Sequence, residues 1–358
     1  MSGVSRRAFF GAIGVSGVAA ACSHPATRPS APQPPSGPGV GFVLSHEQFT
    51  TAQLLDQAQA AERAGFRYLW ASDHLQPWQD NEGHAMFPWL TLALLSQRTS
   101  TASFGTGVTC PIYRYHPATV AQAFASLAVL APNRAFLGVG TGERLNEQAA
   151  TTQFGPYQER HDRLIEAIQL IRQCWSGQRI SFAGRFFQTS QLKIYDLPPT
   201  PPQIFVAASG PKSARLAGQY GDGWISQAAA FKDPALVSAF TQGAQASGRD
   251  PKALGKRAEL FAVVGDQNEI NYAAQLWRFT GAGVNLDQPN PVDIQHAAEK
   301  TPLDKVARNW TTGTDSAVHV KALQDLLNLG ATPFVHFPQR DPSTAIEFYR
   351  TNVLPKLR

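Results

Sequence analysis

Short apolar runs alternate along this chain with longer segments in which apolar and polar residues are mixed. A continuous apolar run bounded by turn residues is typical of a strand buried on both faces of a parallel sheet. Eight runs are predicted as strands: Val40–Leu44, Tyr68–Ala71, Phe104–Thr109, Ala135–Val139, Ile204–Ala208, Trp224–Ser226, Leu260–Val264 and Phe334–Phe337.

The segments between these runs carry apolar residues every three or four positions, which predicts amphipathic helices. Such helices are expected at Thr51–Ala64, where Gly65 follows as a stop signal, and at Leu90–Gln97, Gln158–Trp175 and Ser316–Leu329. Repeated strand–helix units over about 320 residues predict an α/β fold with a parallel sheet. A closed (β/α)8 TIM barrel fits this repeat better than an open sheet.

No linker interrupts residues 40–358, so this range is predicted to be a single domain. The stretch Gly281–Lys300 fits no strand–helix unit and is interpreted as an insertion. In a barrel of this kind, chemistry takes place where strands end and loops begin, at the C-terminal face. Catalytic and ligand-binding residues are therefore expected directly after the predicted strands.

The N-terminal segment is interpreted as a targeting signal and not as part of the folded domain. The pair Arg6-Arg7 precedes the apolar run Ala8–Ala21, which is too short to span about 30 Å of hydrocarbon as a helix. We expect residues 1–22 to be a twin-arginine export signal, with Cys22 either a lipidated residue or incidental to an ordinary cleavage site. Residues 23–39 are rich in Pro, Ser and Gly, which predicts an extended linker.

Composition excludes several classes of protein. The 358-residue chain has a formal net charge of +5, but three arginines and no acid fall within residues 1–46, which leaves +2 for the rest. Without a basic tract in that remainder, nucleic acid is not expected as a partner. Three cysteines exclude a disulfide scaffold and a four-cysteine zinc module, and no HExxH motif occurs, so no metal site is predicted.

Polar and titratable residues follow the first, second and fourth predicted strands. Glu47 follows the first strand, Asp73 and His74 follow the second, and Glu143 lies in a glycine-flanked turn after the fourth. An imidazole beside a carboxylate can take up and release a proton near neutral pH. Trp78 supplies an apolar wall for a planar ligand or, alternatively, packs in the core.

Two turns rich in glycine or other small residues are candidate phosphate sites. Gly138–Gly142 lacks the third glycine of the dinucleotide fingerprint, because Glu143 stands in its place, so a Rossmann site is not predicted. Ala207–Gly210 leads into a predicted helix whose free amides are suited to a phosphate group.

Two motifs carry a resemblance to a known family. Ser72–Trp78 and Phe136–Asn146, about 70 residues apart, resemble the luciferase-like oxidoreductases, and within them the F420-dependent glucose-6-phosphate dehydrogenase branch. The resemblance runs from Val40 to the C-terminus, excepting the insertion. It implies a TIM barrel that binds coenzyme F420 at its C-terminal face.

The resemblance also implies roles for individual residues. Asp73 contacts the deazaflavin ring, and His74 contacts the cofactor and takes the substrate hydroxyl proton. Trp78 lines the reaction pocket, Glu47 is an acidic residue that faces the substrate, and Glu143 protonates the deazaflavin as hydride reaches it. The other implied cofactor contacts are Gly107 and Val108 (joined by a cis peptide), Asn146, Ala207, Ala208, Ser209 and Gly210.

Departures from that branch bear on the substrate. Three cationic positions that hold the sugar phosphate are occupied by the neutral residues Ala230, Asn285 and Asn309. Each lost charge-assisted contact is worth about 1.5–3 kcal/mol, which disfavours a sugar phosphate. The segment Ala228–Phe231 is instead apolar, which favours a secondary alcohol on an alkyl chain.

The resulting expectation is an exported F420-dependent alcohol dehydrogenase of the cell envelope, active on a lipid or other apolar alcohol. From the resemblance, the substrate is a hydroxymycolic acid, the product is a ketomycolic acid, and the protein is a homodimer. Membrane contact is expected only through a lipid on Cys22. Alternatives are an FMN-dependent monooxygenase or F420-dependent reductase on the same barrel, and a lipid-anchored solute-binding protein.

Overall fold

A closed ring of eight parallel strands forms the centre of the molecule in a computed structural model that describes residues 39–358. The ring runs β6-β5-β4-β3-β2-β1-β9-β7 and closes through pairing of β6 with β7. The strands are β1 (Gly41–Leu44), β2 (Tyr68–Ala71), β3 (Ser103–Thr106), β4 (Ala135–Val139), β5 (Gln203–Ala207), β6 (Gly223–Gln227), β7 (Gly255–Val263), β8 (Thr311–Thr312) and β9 (Thr332–His336). All eight predicted strands are present, and the predicted barrel is confirmed.

The helices surround this ring. They are α1 (Thr51–Ala64), α2 (Pro88–Arg98), α3 (Pro117–Leu130), α4 (Arg144–Thr151), α5 (Tyr157–Cys174), α6 (Pro211–Tyr220), α7 (Pro234–Ala246), α8 (Gln267–Leu276), α9 (Pro291–Ala298), α10 (Leu303–Val306), α11 (Ser316–Asn328) and α12 (Pro342–Phe348). Helix α1 has the predicted bounds because Thr50 and Gln53 form a capping box at its start, and Gly65 ends it with a φ of 102°. None of the described helices is long and apolar enough to cross a membrane.

Aromatic side chains fill the inside of the barrel. Phe136 and Phe205 pack there with Phe334, and the guanidinium carbon of Arg257 lies 3.6 Å from the ring centroids of both Phe136 and Phe205. Burial lowers the pKa of Arg257 to about 9. The strands approach closely at Gly138, where a Cβ atom would lie 2.1 Å from the carbonyl oxygen of Thr106.

The insertion is wider than predicted. Residues 277–315 lie between α8 and α11 and contain α9, α10 and the two-residue strand β8, which pairs with the end of β7 outside the barrel ring. The segment builds a small core of its own, in which Trp277, Phe279 and Ile294 are buried together with Leu145 of α4. Packing against α4 places the insertion next to the carboxyl ends of the barrel strands.

The predicted export signal, Cys22 and all of the linker before Gly39 lie outside the described residues.

Candidate active site

A cavity of about 390 Å³, here called the central cavity, lies at the carboxyl ends of the barrel strands. Four residues predicted as catalytic, Glu47, His74, Trp78 and Glu143, all line it. They come from the loops after β1, β2 and β4, so the barrel brings together residues that are up to 96 positions apart in the sequence. The imidazole and the carboxyl group that the motifs singled out, His74 and Glu143, therefore share one chamber.

The imidazole of His74 has a polar neighbour at each of its two nitrogens. Its Nδ1 lies 3.2 Å from the carbonyl oxygen of Gln76 and 3.3 Å from Nδ2 of Asn146. Its Nε2 lies 3.8 Å from a carboxylate oxygen of Glu47. When Nδ1–H donates to the Gln76 carbonyl, Nε2 is left with a lone pair beside a carboxylate, which is the arrangement of a proton acceptor.

Glu47 is a buried carboxylate with several partners. Its Oε2 accepts hydrogen bonds from the hydroxyls of Ser72 at 2.6 Å and Ser45 at 3.1 Å. Burial alone would raise the pKa of Glu47, but the neighbouring His74 and the Ser72 hydrogen bond lower it below its usual value. Glu47 is therefore a fixed negative charge that stabilises a protonated His74.

Asn146 clamps the loop that carries His74. Its Oδ1 accepts hydrogen bonds from the backbone amides of Leu75 at 2.7 Å and Gln76 at 3.3 Å. The side chain is buried and does not line the central cavity. The structure thus does not place this predicted cofactor contact at a ligand-facing position, because its amide group is already bonded within the loop.

Asp73 is likewise turned away from the central cavity. Its carboxylate accepts hydrogen bonds from Thr109 at 2.6 Å, Arg114 at 2.9 Å, Tyr115 at 3.1 Å and Trp89 at 3.2 Å. These donors occupy both oxygens, and the side chain has no exposed surface. Asp73 does not line the central cavity, and these bonds fix the position of His74 beside it; its contact with the ring stays a prediction.

The same network reaches the helix that follows Glu143. Arg114 donates its backbone amide to Glu147 of α4 at 2.9 Å, and its guanidinium lies 3.8 Å from the other oxygen of that carboxylate. Burial raises the pKa of Glu147 to about 7, against the opposing effect of Arg114. Glu143 itself occupies the N-cap position of α4, so the Asp73–Arg114–Glu147 contacts connect the His74 loop with the Glu143 turn.

Trp78 forms the wall between the motif and the insertion. Its ring centroid lies 5.0 Å from that of His74 and 4.9 Å from that of Phe279, on which it stacks at 20°. The insertion is also joined to this loop by Gln76, whose side-chain amide donates to the carbonyls of Leu145 and Pro289. Insertion residues thus complete the chamber around His74.

A larger cleft of about 700 Å³, here called the outer cleft, opens from the central cavity. The two share walls at the Gly107–Val108 peptide, which is cis as predicted. Glu143 also faces both spaces. Ala207, Ala208 and Ser209 line the outer cleft as predicted cofactor contacts, whereas Gly210 does not line it.

The anion-binding amides differ from those predicted. Ala208 donates its amide to the carbonyl of Ile225 in the sheet at 3.0 Å, and Gly210 donates its amide to Ser213 Oγ at 3.2 Å. The first hydrogen bond along α6 is made by the amide of Ala214, which leaves the amides of Lys212 and Ser213 without an intrahelical acceptor. Of the predicted segment only the Ser209 amide is free for an anion, and the amides of Lys212 and Ser213 add to it.

Two titratable residues of the central cavity were not predicted from the sequence. Glu259 of β7 and His336 of β9 line the central cavity, and the His336 Nδ1 lies 3.1 Å from a carboxylate oxygen of Glu259. Each of the two residues is a polar position within an otherwise apolar strand, and this interruption is the sequence signal that could have identified them. Arg114 and Glu147 carried no comparable signal, because their partners come from loops that are distant in sequence.

In the predicted apolar segment Ala228–Phe231, Ala229 and Ala230 line the outer cleft. Phe231 is buried against Trp224, with ring centroids 4.4 Å apart, and does not line a cavity.

Among residues 39–358, no group of three or more His, Cys, Asp or Glu side chains is placed to hold a metal ion.

Comparison with known proteins agrees with this geometry. The family model of the luciferase-like monooxygenases matches residues 26–332. The F420-dependent hydroxymycolic acid dehydrogenase of Mycobacterium tuberculosis is 67% identical to this chain over 363 residues, covering 100% of both chains. The F420-dependent glucose-6-phosphate dehydrogenase of Kineococcus radiotolerans is 35% identical over 328 residues, covering 89% of this chain and 97% of the relative.

A solved structure shows the same fold. The F420-dependent secondary alcohol dehydrogenase in complex with an F420–acetone adduct superposes with a TM-score of 0.85 at 28% identity, covering 90% of this chain and 100% of that one. The predicted resemblance is confirmed by sequence and by fold. This chain belongs to the luciferase-like monooxygenase family.

Proposed function

We propose that this protein is a coenzyme F420-dependent dehydrogenase that oxidises the secondary hydroxyl of a lipid alcohol, hydroxymycolic acid, to a ketone. The observation that carries the proposal is the shared chamber of His74, Glu47 and Glu143, which opens into a cleft large enough for a tricyclic cofactor. Support for the substrate comes from the name of the 67% identical relative. Support for the reaction class comes from the secondary alcohol dehydrogenase of the same fold.

The outer cleft fits the chemical groups of F420. A flat ring needs close approach to the backbone, and the Gly107–Val108 peptide offers a wall with little side chain. A phosphate in the cofactor tail needs hydrogen-bond donors, and the unpaired amides of Lys212 and Ser213 at the start of α6 provide them beside Ser209. When bound, F420 supplies a deazaflavin carbon that accepts the hydride of the carbinol.

His74 serves as the base in this proposal. As the carbinol loses hydride, its hydroxyl proton passes to His74 Nε2, and the ketone forms. The resulting imidazolium is stabilised by Glu47, whose carboxylate lies 3.8 Å from Nε2. The Gln76 carbonyl accepts from Nδ1–H and holds the ring in the orientation that this transfer requires, while Asn146 holds the loop through the amides of Leu75 and Gln76.

Glu143 serves as the acid on the other wall. It borders both the outer cleft and the central cavity, so with F420 bound its carboxyl group would supply the proton that the deazaflavin takes up along with the hydride. Trp78 closes the chamber by stacking on Phe279 and excludes water from the reacting carbon.

Export and assembly are further parts of the proposal. The Arg6-Arg7 pair and the following apolar run support export by the twin-arginine route to the cell envelope, with lipidation of Cys22 as a means of anchoring. A variant carrying Arg6→Lys and Arg7→Lys should stay in the cytoplasm, and normal delivery of that variant to the envelope would refute this route. A homodimer is proposed from the family resemblance and is checked by light scattering.

The function is tested by following the absorbance of oxidised F420 in the presence of the full-length protein. Hydroxymycolic acid should bleach the deazaflavin absorbance, and glucose 6-phosphate should not. Bleaching by glucose 6-phosphate alone would contradict the lipid substrate. Lipid binding without any loss of absorbance would favour a solute-binding protein, and turnover with FMN and oxygen in place of F420 would favour a monooxygenase.

A further inference from the structure

A third cavity, of about 640 Å³, adjoins the central cavity and is here called the insertion cavity. Gln227, Glu259, Phe261 and Thr280 line both spaces. A ligand whose hydroxyl group lies at His74 can therefore continue from the central cavity into this one.

The inner walls of the insertion cavity suit a hydrocarbon chain. Ala228 and Ala229, from the turn after β6, form one side. On the other side Phe261 stacks on Trp310 of the insertion, with ring centroids 5.1 Å apart and an interplanar angle of 13°. Burial of a chain against such surfaces is favourable by about 25 cal/mol per Å² of apolar area.

The outer wall of the same cavity carries three cations. Lys232 comes from the turn after β6, and Lys305 and Arg308 come from the insertion; all three are exposed side chains that line the cavity. Within residues 39–358, none of them forms an ion pair with a carboxylate. Three unpaired positive charges around one opening attract an anionic group.

The charges are ordered along the cavity. Glu259 stands at the inner end, where the insertion cavity meets the central cavity, and the three cations stand at the outer end. A carboxylate on the ligand is repelled by Glu259 and attracted by Lys232, Lys305 and Arg308. An acid with a hydrocarbon spacer thus has one favourable orientation, with its acidic group outermost.

We propose that the insertion cavity binds the acidic arm of the substrate, with hydrocarbon against Phe261 and Trp310 and the carboxylate at Lys232, Lys305 and Arg308. The enzyme would then select long-chain hydroxy acids over neutral alcohols of the same length. This inference rests on the proposed function.

The test compares three substrates with the native protein and a variant carrying Lys232→Gln, Lys305→Gln and Arg308→Gln. The substrates are hydroxystearic acid with a mid-chain hydroxyl, its methyl ester, and 2-propanol, each with oxidised F420. The variant should show a KM for the hydroxy acid about tenfold higher, with kcat and both neutral substrates unchanged. In the native protein alone, added salt should raise the KM for the acid.

Lys252→Gln, which removes an exposed cation outside the cavity, serves as the matched control and should leave every KM unchanged. Equal KM changes for acid and ester in the triple variant, or no change for the acid, would overturn the inference. Absence of F420 reduction with all three substrates in the native protein would instead refute the proposed function. The two failures are therefore distinguishable.

Discussion

The two halves of the barrel mouth are built in different ways. In the half formed by the loops after β1 to β4, the carboxylates of Glu47 and Asp73 are buried, the Arg114 side chain is only 9% exposed, and all three are hydrogen-bonded. In the half formed after β6 and β7, Lys232 and Arg308 are exposed and form no ion pair within residues 39–358.

This difference has a physical cause. A buried charge is tolerated only with well-placed partners, so the first half must be rigid and its residues depend on one another. An exposed cation is solvated by water and needs no partner, so the second half can change residue by residue without loss of the fold. The rigid half is suited to proton transfer, and the adaptable half is suited to selecting the substrate.

The largest expected effect is on turnover, from the residue at the centre of the rigid half. His74→Ala should lower kcat by about 10³, since general base catalysis contributes about 10²–10⁴. The affinity for F420, measured by fluorescence titration, should stay within about twofold of the native value because the outer cleft is unchanged. His296→Ala in the insertion is the control, and an equal loss of kcat in both variants would refute the role of His74.

The next effect is on stability. Asp73→Ala should lower the free energy of unfolding by about 3–5 kcal/mol, because the largely buried Arg114 loses its carboxylate partner at 2.9 Å and keeps only Glu147 at 3.8 Å. Asp325→Ala breaks the exposed pair with Lys321 and should cost less than about 1 kcal/mol. Denaturant unfolding of both variants measures the contrast. Equal losses would show that the buried charges of the first half are no more dependent on their partners than an exposed ion pair is.

A smaller effect is expected in the pH dependence of stability. Burial raises the pKa of Glu147 to about 7 from an ordinary value of 4.5, so the folded state favours the neutral acid. The stability that this provides is complete below pH 4.5 and is lost as the pH rises through 7.

Glu147→Gln is neutral at every pH, so between pH 4.5 and 7 its free energy of unfolding should fall less than that of the native protein, by about 2–3 kcal/mol. Glu299→Gln, which removes an exposed acid, should follow the native curve. Parallel curves for the native protein and Glu147→Gln would show that Glu147 is charged throughout this range.

Periodicity predicted the barrel well because local signals coincide with the tertiary structure. In α1 the apolar face, the Thr50 cap and Gly65 all point to the same bounds, and these bounds are found. Strand β7 begins at Gly255 and not at the predicted Leu260. The prediction began too late because Arg257 and Glu259 interrupt the apolar pattern. Both side chains find partners, in aromatic rings and in His336, that no local pattern reveals.

Sequence by itself determined the strand–helix repeat, the family motifs and the meeting of His74 with Glu143 at one face, since parallel strands must end at the same side of the barrel. Tertiary structure alone decided which polar residues face the cavity. Asp73 and Asn146 turn inward to bond the loops, whereas Glu259 and His336 face the chamber. The reason is that the sequence pattern determines on which strand or loop a residue lies. The direction of its side chain depends on contacts with residues that are distant in the sequence.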